Sequence, residues 1–348
     1  MLRNNDTSLK ELSLEKNKMG NAGITKVAAA LLGNSVLTEL NVKRNAIGNE
    51  GAAKVAQMLA GNSVQLLTRL YLERNDIGGQ GASSIAEALV SNSMLTDLRL
   101  AYNKIGDAGA VKVAEALMAN TALKKLNLFD NGIGAIGAAK VGEALRRNCS
   151  LTELDLGYNG IGVQGVAPIA AALHQNSVLT SLLLFNTEMG DEGVAHFAEA
   201  LRGDLSLKKL YLNENGIGGK GATELGRALK DNGTLLTLDL KYNMLGDEGA
   251  TKLAEGVAAN KGLTRLDVFD NVISQEGTLA LGEALRFRPL PERGFRLLGV
   301  DLRECWAQLD LPEAASWWEN GDVMALLRAR KGLVAGVGSV CHTCPVCQ

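Results

Sequence analysis

Apolar residues recur along the chain in a nine-residue pattern, LxxLxLxxN, that returns about every 28 residues. Leucine or valine stands at its first, fourth and sixth positions, with mostly polar residues between them. This alternation predicts a short strand with one face turned inward. After each predicted strand in the sequence, alanine-rich runs such as 52–59 and 110–117 place small apolar residues at helical spacing and predict a helix. We number the pattern positions 1 to 9 and call each strand–turn–helix unit a coil. Position 1 is occupied in coils 1 to 10 by Leu9, Leu37, Leu67, Leu95, Leu123, Leu151, Leu179, Leu207, Leu235 and Leu263.

Asparagine closes the pattern at position 9 in every complete coil except coil 7, which has Thr187. Its side-chain amide can satisfy backbone groups of the turn that would otherwise be buried without a partner. Two glycines follow, as at Gly48 and Gly51, and permit a positive φ and a close approach between coils. Coil 10 departs from this pair with Ser274. A degenerate eleventh pattern is predicted at Leu297, Val300, Leu302 and Cys305.

Coils of this kind stack side by side, and their two faces need different spacings. Neighbouring strands lie about 4.8 Å apart, whereas packed helices need about 10 Å. The stack therefore bends, with the strands forming a parallel sheet on its concave face and the helices on its convex face. We predict an α/β solenoid, a horseshoe of about eleven repeats of 28 residues.

The pattern resembles the leucine-rich repeat, and the 28-residue unit with its IGxxGA turn is similar to the ribonuclease-inhibitor-like subclass. The resemblance covers residues 9–305. Similar units occur in NOD-like receptors and in Ran GTPase-activating proteins. We predict a non-catalytic protein–protein interaction scaffold that binds a partner protein on its concave face.

Two other functions stay open. One is a GTPase-activating or other regulatory protein similar to the Ran GTPase-activating proteins, which carry an acidic tail; here no acidic residue follows Asp322. The other is a ligand-sensing fragment of a NOD-like receptor, although the sequence contains no GxxxxGK[ST] nucleotide-binding loop.

Residues 126–140, LNLFDNGIGAIGAAK, match a dinucleotide-binding fingerprint, because Gly132, Gly134 and Gly137 lie between a predicted strand and a predicted helix. The position of Gly132 is glycine in only three of the ten complete coils. The triplet is therefore interpreted as a chance extension of the structural glycine pair. We predict no nucleotide and no other cofactor.

The chain divides into four predicted segments. They are a short lead at 1–8, the repeat array at 9–305, a helical cap at 306–331 and a flexible tail at 332–348. The lead shows no obvious cap, so coil 1 would expose an apolar flank through which the chain could self-associate. Cys341, Cys344 and Cys347 in the tail are a weak candidate for a metal site, and a frayed terminus is the stronger interpretation.

The composition argues against several classes of function. The net charge of -2 and isoelectric point near 6.0 argue against general binding to nucleic acid or to an anionic membrane. No signal peptide is visible and the five cysteines are odd in number, so we expect a cytoplasmic protein, with the nucleus as the other possibility. No nucleophile, base and acid stand at a spacing that supports catalysis, and we predict that the chain is not an enzyme.

Aromatic residues are concentrated on the predicted concave face. All five tyrosines and three of the six phenylalanines occupy position 5, 7 or 8; positions 5 and 7 project from the sheet and position 8 lies at its rim. They could stabilise the sheet as a cross-strand ladder. We favour a binding surface, because exposed aromatic residues are typical of interface hot spots. Together with neighbouring charges, the predicted protein-binding residues are Tyr71, Arg99, Tyr102, Phe129, Asp155, Tyr158, Phe185, Tyr211, Asp239, Tyr242, Asp267 and Phe269.

Asp239 and Asp267 share position 5 on adjacent strands and could approach within about 5 Å. Such a pair could raise one pKa or hold a cation. Arg265 and Lys241 are predicted on the same face, which favours an ordinary cluster of screened ion pairs.

Overall fold

The protein is described here by a computed structural model that covers residues 8–60, 63–203, 206–287 and 296–299. In these ranges a strand and a helix alternate along the chain. The strands are β1 (Glu11–Ser13), β2 (Glu39–Asn41), β3 (Arg69–Tyr71), β4 (Asp97–Arg99), β5 (Lys125–Asn127), β6 (Glu153–Asp155), β7 (Ser181–Leu183), β8 (Lys209–Tyr211), β9 (Thr237–Asp239), β10 (Arg265–Asp267) and β11 (Arg296–Leu298). The helices are α1 (Gly20–Leu31), α2 (Asn49–Leu59), α3 (Gly79–Ser91), α4 (Gly106–Ala119), α5 (Ala135–Leu145), α6 (Gly162–Leu173), α7 (Gly190–Gly203), α8 (Gly219–Asp231), α9 (Gly246–Ala259) and α10 (Gln275–Phe287).

The strands form one parallel sheet in which each strand pairs with the next along the chain, from β1 to β11. Equivalent positions lie side by side, so that Leu154 of β6 stands between Leu126 of β5 and Leu182 of β7. Each helix packs against the helix of the next coil. The predicted α/β solenoid, with its sheet on the concave face and its helices on the convex face, is confirmed.

A single hydrophobic core runs between the sheet and the helices. Leu154 and Leu156, at positions 4 and 6 of coil 6, are fully buried, as is Val141 on α5. The narrow gap between coils depends on glycine at the start of each helix. A Cβ atom on Gly137 would lie only 2.8 Å from the Cβ atom of Ala110 in the preceding coil. The close approach inferred from the glycine pair is therefore present.

The asparagines at position 9 link successive coils through backbone hydrogen bonds. The Asn159 amide donates to the carbonyl oxygens of Leu128, Leu156 and Gly157 at 2.9–3.1 Å. Its Oδ1 atom accepts from the backbone N–H groups of Asn131 and Ile133, each at 3.0 Å. One side chain thus satisfies backbone groups of two coils, which is the role predicted from the sequence.

A second asparagine series, which our sequence analysis missed, lies at the opposite end of the helices. Asn120 is buried and donates to the carbonyl oxygens of Leu89 and Asn92 at 2.7 and 2.9 Å, while its Oδ1 atom accepts from the backbone of Leu123 at 2.8 Å. The sequence signal is an asparagine three residues before position 1. It recurs at Asn34, Asn92, Asn120, Asn148, Asn176, Asn232 and Asn260.

The register of the eleventh coil corrects our prediction. We placed Leu297 at position 1, but Leu297 pairs with Leu266, which is position 4 of coil 10, and Leu298 pairs with Asp267. Leu297 is only 5% exposed, because an inward-facing leucine is needed beside Leu266 to continue the core. The spacing that begins at Leu297 therefore does not set the strand.

In coil 1, Leu9, Leu12 and Leu14 are partly buried, whereas Leu40 of coil 2 is fully buried. An exposed apolar flank on coil 1 and self-association through it stay predictions. The lead up to residue 7, the predicted cap at 306–331 and the tail with Cys341, Cys344 and Cys347 lie outside the described residues.

Candidate protein-binding surface on the concave face

The rim of the concave sheet has an unusual and regular backbone. Position 8 has a positive φ in each of coils 1 to 10, between 48° and 62°. This left-handed conformation is unfavourable for a side chain larger than glycine. The side chain at position 9, asparagine in nine of the ten coils, bonds to backbone groups of the same turn, as Asn159 does. Three tyrosines, Tyr102, Tyr158 and Tyr242, are presented at the rim in this way.

Four aromatic rings from coils 4 to 7 form one contiguous cluster. The ring centroids of Tyr102 and Phe129 are 4.9 Å apart, and those of Phe129 and Tyr158 are 5.0 Å apart. Phe185 completes the cluster at 5.3 Å from Phe129 and 5.9 Å from Tyr158. We name Tyr102, Phe129, Tyr158 and Phe185 the central aromatic cluster. Tyr102 is 37% and Tyr158 is 42% exposed, while the two phenylalanines are half-buried.

Small residues at position 7 allow this cluster to form. Phe129 and Phe185 belong to coils 5 and 7, yet their rings meet across coil 6. Coil 6 has Gly157 at position 7, and a Cβ atom there would lie 2.7 Å from the Phe185 ring. Without glycine at this position the rings would be pushed apart.

Tyr158 is also fixed through its hydroxyl group, which donates to Glu214 Oε2 two coils away at 2.9 Å. Asn186 donates to the same oxygen at 3.2 Å. The bond to Glu214 raises the pKa of Tyr158 above its ordinary value, because the protonated phenol is the donor. The hydroxyl end of the side chain is therefore anchored, while 42% of the residue remains exposed.

The remaining aromatic residues lie apart from this cluster. Tyr71 is half-buried between Lys43 and Arg99, each 4.8 Å from its ring centroid. Arg99 in turn donates twice to Asp97, at 3.1 and 3.2 Å. Tyr211 is half-buried. Tyr242 and Phe269 form a separate exposed pair, with centroids 5.6 Å apart.

A cavity of about 430 Å³ opens beside the central aromatic cluster. It is lined by Glu15, Lys43, Arg44, Glu73, Arg74, Ala101, Tyr102, Asn127 and Phe129. The Arg74 guanidinium stacks on Tyr102 at 3.8 Å from its centroid. Lys43 Nζ lies 2.8 Å from Glu73 Oε1, and burial nevertheless raises the pKa of Glu73. Glu73 Oε2 is buried and has no hydrogen-bond partner among the described residues.

Asp155, which we predicted to be a binding residue, is only 9% exposed. Its carboxylate accepts from Asn127 Nδ2 and from the backbone N–H of Gly157, each at 3.0 Å. Burial raises its pKa from 3.8 to about 6, and the two hydrogen bonds oppose that rise only in part. Asp155 is therefore largely inaccessible and offers a partner little contact area.

Ionisation of Asp155 should oppose folding. Because its folded-state pKa of about 6 exceeds the ordinary 3.8, the stability gained from its protonation is complete below about pH 4. That stability is lost as the pH rises through about 6. We expect the melting temperature of the wild type, relative to Asp155→Asn, to decline from pH 4 to pH 7 in scanning fluorimetry. A pH-independent difference between the wild type and Asp155→Asn would contradict the assignment.

Asp239 and Asp267 are each 4% exposed and are neutralised from the same face. Lys241 Nζ lies 3.3 Å from Asp239 Oδ2 and 4.0 Å from Asp267 Oδ2. Arg265 lies 3.3 Å from Asp267 Oδ2. The ion pairs expected from the sequence are present, but the two carboxylates are buried rather than screened by water, and burial raises the pKa of Asp239. Within the described residues, no group of three or more His, Cys, Asp or Glu side chains could hold a metal ion.

In the glycine triplet that resembles a phosphate-binding loop, the N–H groups of Gly134 and Gly137 are already bonded. Asp107 Oδ1, from the preceding coil, accepts from Gly134 and from Gly137 at 2.8 Å each. These are the donors at the α5 N-terminus that a phosphate would need. The same bridge joins Asp191 to the α8 N-terminus at Gly218 and Gly221. The triplet therefore belongs to the linkage between coils.

These features define a parallel-sheet repeat protein with one strand and one helix in each coil. The family described as "Leucine Rich repeat" matches nine segments that together span more than half of the chain, and the chain belongs to the leucine-rich repeat family. The matched segments are 5–28, 33–56, 65–86, 91–114, 119–142, 147–170, 204–226, 231–254 and 259–282. Repeats of this family generally mediate protein–protein interactions.

Among solved structures, the chain is similar to the tropomodulin C-terminal domain of Caenorhabditis elegans, at 18% identity and a TM-score of 0.36, over 42% of this chain and 87% of that chain. It is similar to actin-binding site 2 of leiomodin-1 at 21% identity and a TM-score of 0.35, over 51% and 88%. It is also similar to a chain of the yeast Rad7–Elc1 complex at 15% identity and a TM-score of 0.45, over 84% and 75%. No curated protein matches the chain significantly. In the described ranges, no helix is long and apolar enough to cross a membrane.

Proposed function

We propose that this protein is a non-catalytic scaffold that binds a partner protein on its concave face, centred on the central aromatic cluster. The observation that carries the proposal is the contiguous group of four rings in coils 4 to 7, two of them exposed. Repeats of this family generally bind proteins, and the central aromatic cluster is the part of the concave face where we propose that binding occurs.

The physical support is the combination of exposed rings and a rigid platform. Aromatic rings bury a large area at low entropic cost and dominate the energetics of many interfaces. Tyr102 and Tyr158 are held by Arg74 stacking and by the bond to Glu214, respectively. A partner would therefore meet rings that are already in place, which lowers the ordering cost of binding.

The other explanation of the aromatic residues is that they stabilise the sheet. Ring-to-ring contacts do contribute to folding, above all for the half-buried Phe129 and Phe185. Tyr102 and Tyr158 differ, because more than a third of each is exposed. Variants of these two tyrosines can therefore separate binding from stability better than variants of the phenylalanines.

The double variant Tyr102→Ala and Tyr158→Ala should lose partner capture while remaining folded. Central interface residues commonly cost about 2 kcal/mol or more when cut to alanine, so we expect capture to fall by at least about tenfold. The measurement is affinity capture from native lysate with quantitative mass spectrometry, beside thermal melting of each variant.

A matched control removes two exposed apolar residues from helices, Val90→Ala and Ile136→Ala, which are 53% and 69% exposed. This control should capture the same proteins as the wild type. Undiminished capture by the tyrosine variant, or equal loss in both variants, would rule out the concave aromatic surface as the binding site.

A further inference from the structure

The cavity beside the central aromatic cluster has chemistry more specific than a general binding surface. We infer that it receives an acidic peptide segment of the partner, in which an aspartate or glutamate lies next to an apolar residue. This inference rests on the proposed function and names the chemistry of the partner. Three observations carry it, namely unpaired cations, an aromatic wall and an acidic residue, Glu15, on the same lining.

The unpaired charges that line the cavity are mainly cationic. Lys43 and Glu73 neutralise each other, whereas Arg44 and Arg74 form no ion pair with any carboxylate of the described residues. Both arginines occupy position 8 on adjacent coils and line the same cavity. A guanidinium group can donate paired hydrogen bonds to a carboxylate.

The aromatic wall adds an apolar requirement. Tyr102 and Phe129 line the same cavity as the arginines, and stacking on Tyr102 holds the Arg74 guanidinium flat at 3.8 Å. A stacked guanidinium keeps the N–H groups at its edge available for an anion. A carboxylate at the arginines therefore places the adjacent residue of a peptide near the two rings.

Glu15 distinguishes a peptide from a polyanion. It lines the same cavity as the two arginines. A peptide backbone N–H can donate to a carboxylate acceptor, whereas a phosphodiester has no donor and adds further negative charge beside Glu15. A peptide that carries a single acidic group and backbone donors fits this mixture of charges.

The test is selection from a random peptide library displayed on phage, carried out on the full chain. Enriched peptides should carry aspartate or glutamate beside leucine, phenylalanine or tyrosine. The best peptide, measured by fluorescence anisotropy, should bind Arg44→Gln with Arg74→Gln at least about tenfold more weakly than wild type, because two charge-assisted bonds are lost. The variant Lys208→Gln with Lys209→Gln removes the same charge at coil 8 and should bind as the wild type does.

Three outcomes would overturn the inference. The first is failure of the selection to enrich acidic peptides, and the second is equal weakening of peptide binding in the two glutamine variants. The third is displacement of the peptide by a single-stranded DNA oligonucleotide whose own binding depends on Arg44 and Arg74. The proposed function is judged separately. If Tyr102→Ala with Tyr158→Ala abolishes partner capture while the arginine variant does not, the concave surface stands and the acidic peptide is rejected.

Discussion

Leu154→Ala should lower the free energy of unfolding by roughly 2–5 kcal/mol, the range found when a buried leucine leaves a cavity behind. Leu154 is fully buried at position 4 of coil 6 and lies between Leu126 and Leu182 of the neighbouring strands. Because each coil of a repeat protein contacts mainly its neighbours, the cavity weakens the interfaces on both sides. Urea denaturation followed by circular dichroism measures the change.

Leu183→Ala is the matched control for this prediction. Leu183 is half-buried at position 5 of coil 7, on the concave face, and its truncation leaves no closed cavity. It should cost much less than Leu154→Ala. Equal losses in the two variants would mean that the inward and outward positions of the strand are wrongly assigned.

Asn159→Ala should destabilise the protein by about 3 kcal/mol or more, since each buried backbone group left without a partner costs about 1–3 kcal/mol. The lost amide bridges backbone groups of coils 5 and 6 through five hydrogen bonds. The same denaturation measurement applies. Asn213→Ala, at half-buried position 7 of coil 8, makes the same chemical change and should have a small effect.

The natural exception at Thr187 offers a reciprocal test. Its hydroxyl group donates to the Leu184 carbonyl at 2.9 Å, but a threonine cannot bridge as many backbone groups as an asparagine. Thr187→Asn should therefore raise the midpoint of unfolding. If Asn159→Ala has no effect on stability and Thr187→Asn is destabilising, the asparagines at position 9 do not stabilise the turns.

The linear pattern was sufficient to predict the architecture because each contact that builds it recurs with the repeat. Leu154 is buried for the same reason as Leu126 and Leu182, and Asn159 bonds its neighbours as Asn243 bonds its own. Position along the pattern also determined which residues lie on the concave face. Where the pattern degenerates, as at Leu297, the spacing gave a register that was wrong by three residues, since Leu297, Val300 and Leu302 also match the apolar spacing of positions 1, 4 and 6.

Contacts that do not recur with the repeat were decided by the tertiary structure. Phe129 meets Phe185 across coil 6 because Gly157 has no side chain, and the Tyr158 hydroxyl reaches Glu214 two coils away.

Position 5 is exposed or half-buried in seven coils, whereas the three aspartates at this position, Asp155, Asp239 and Asp267, are buried. Their burial depends on the hydrogen bonds, ion pairs and packing around each carboxylate, which position in a repeat does not specify. The sequence by itself determined the solenoid and the face that could bind, whereas the aromatic cluster and its cavity arise from side-chain packing across several coils.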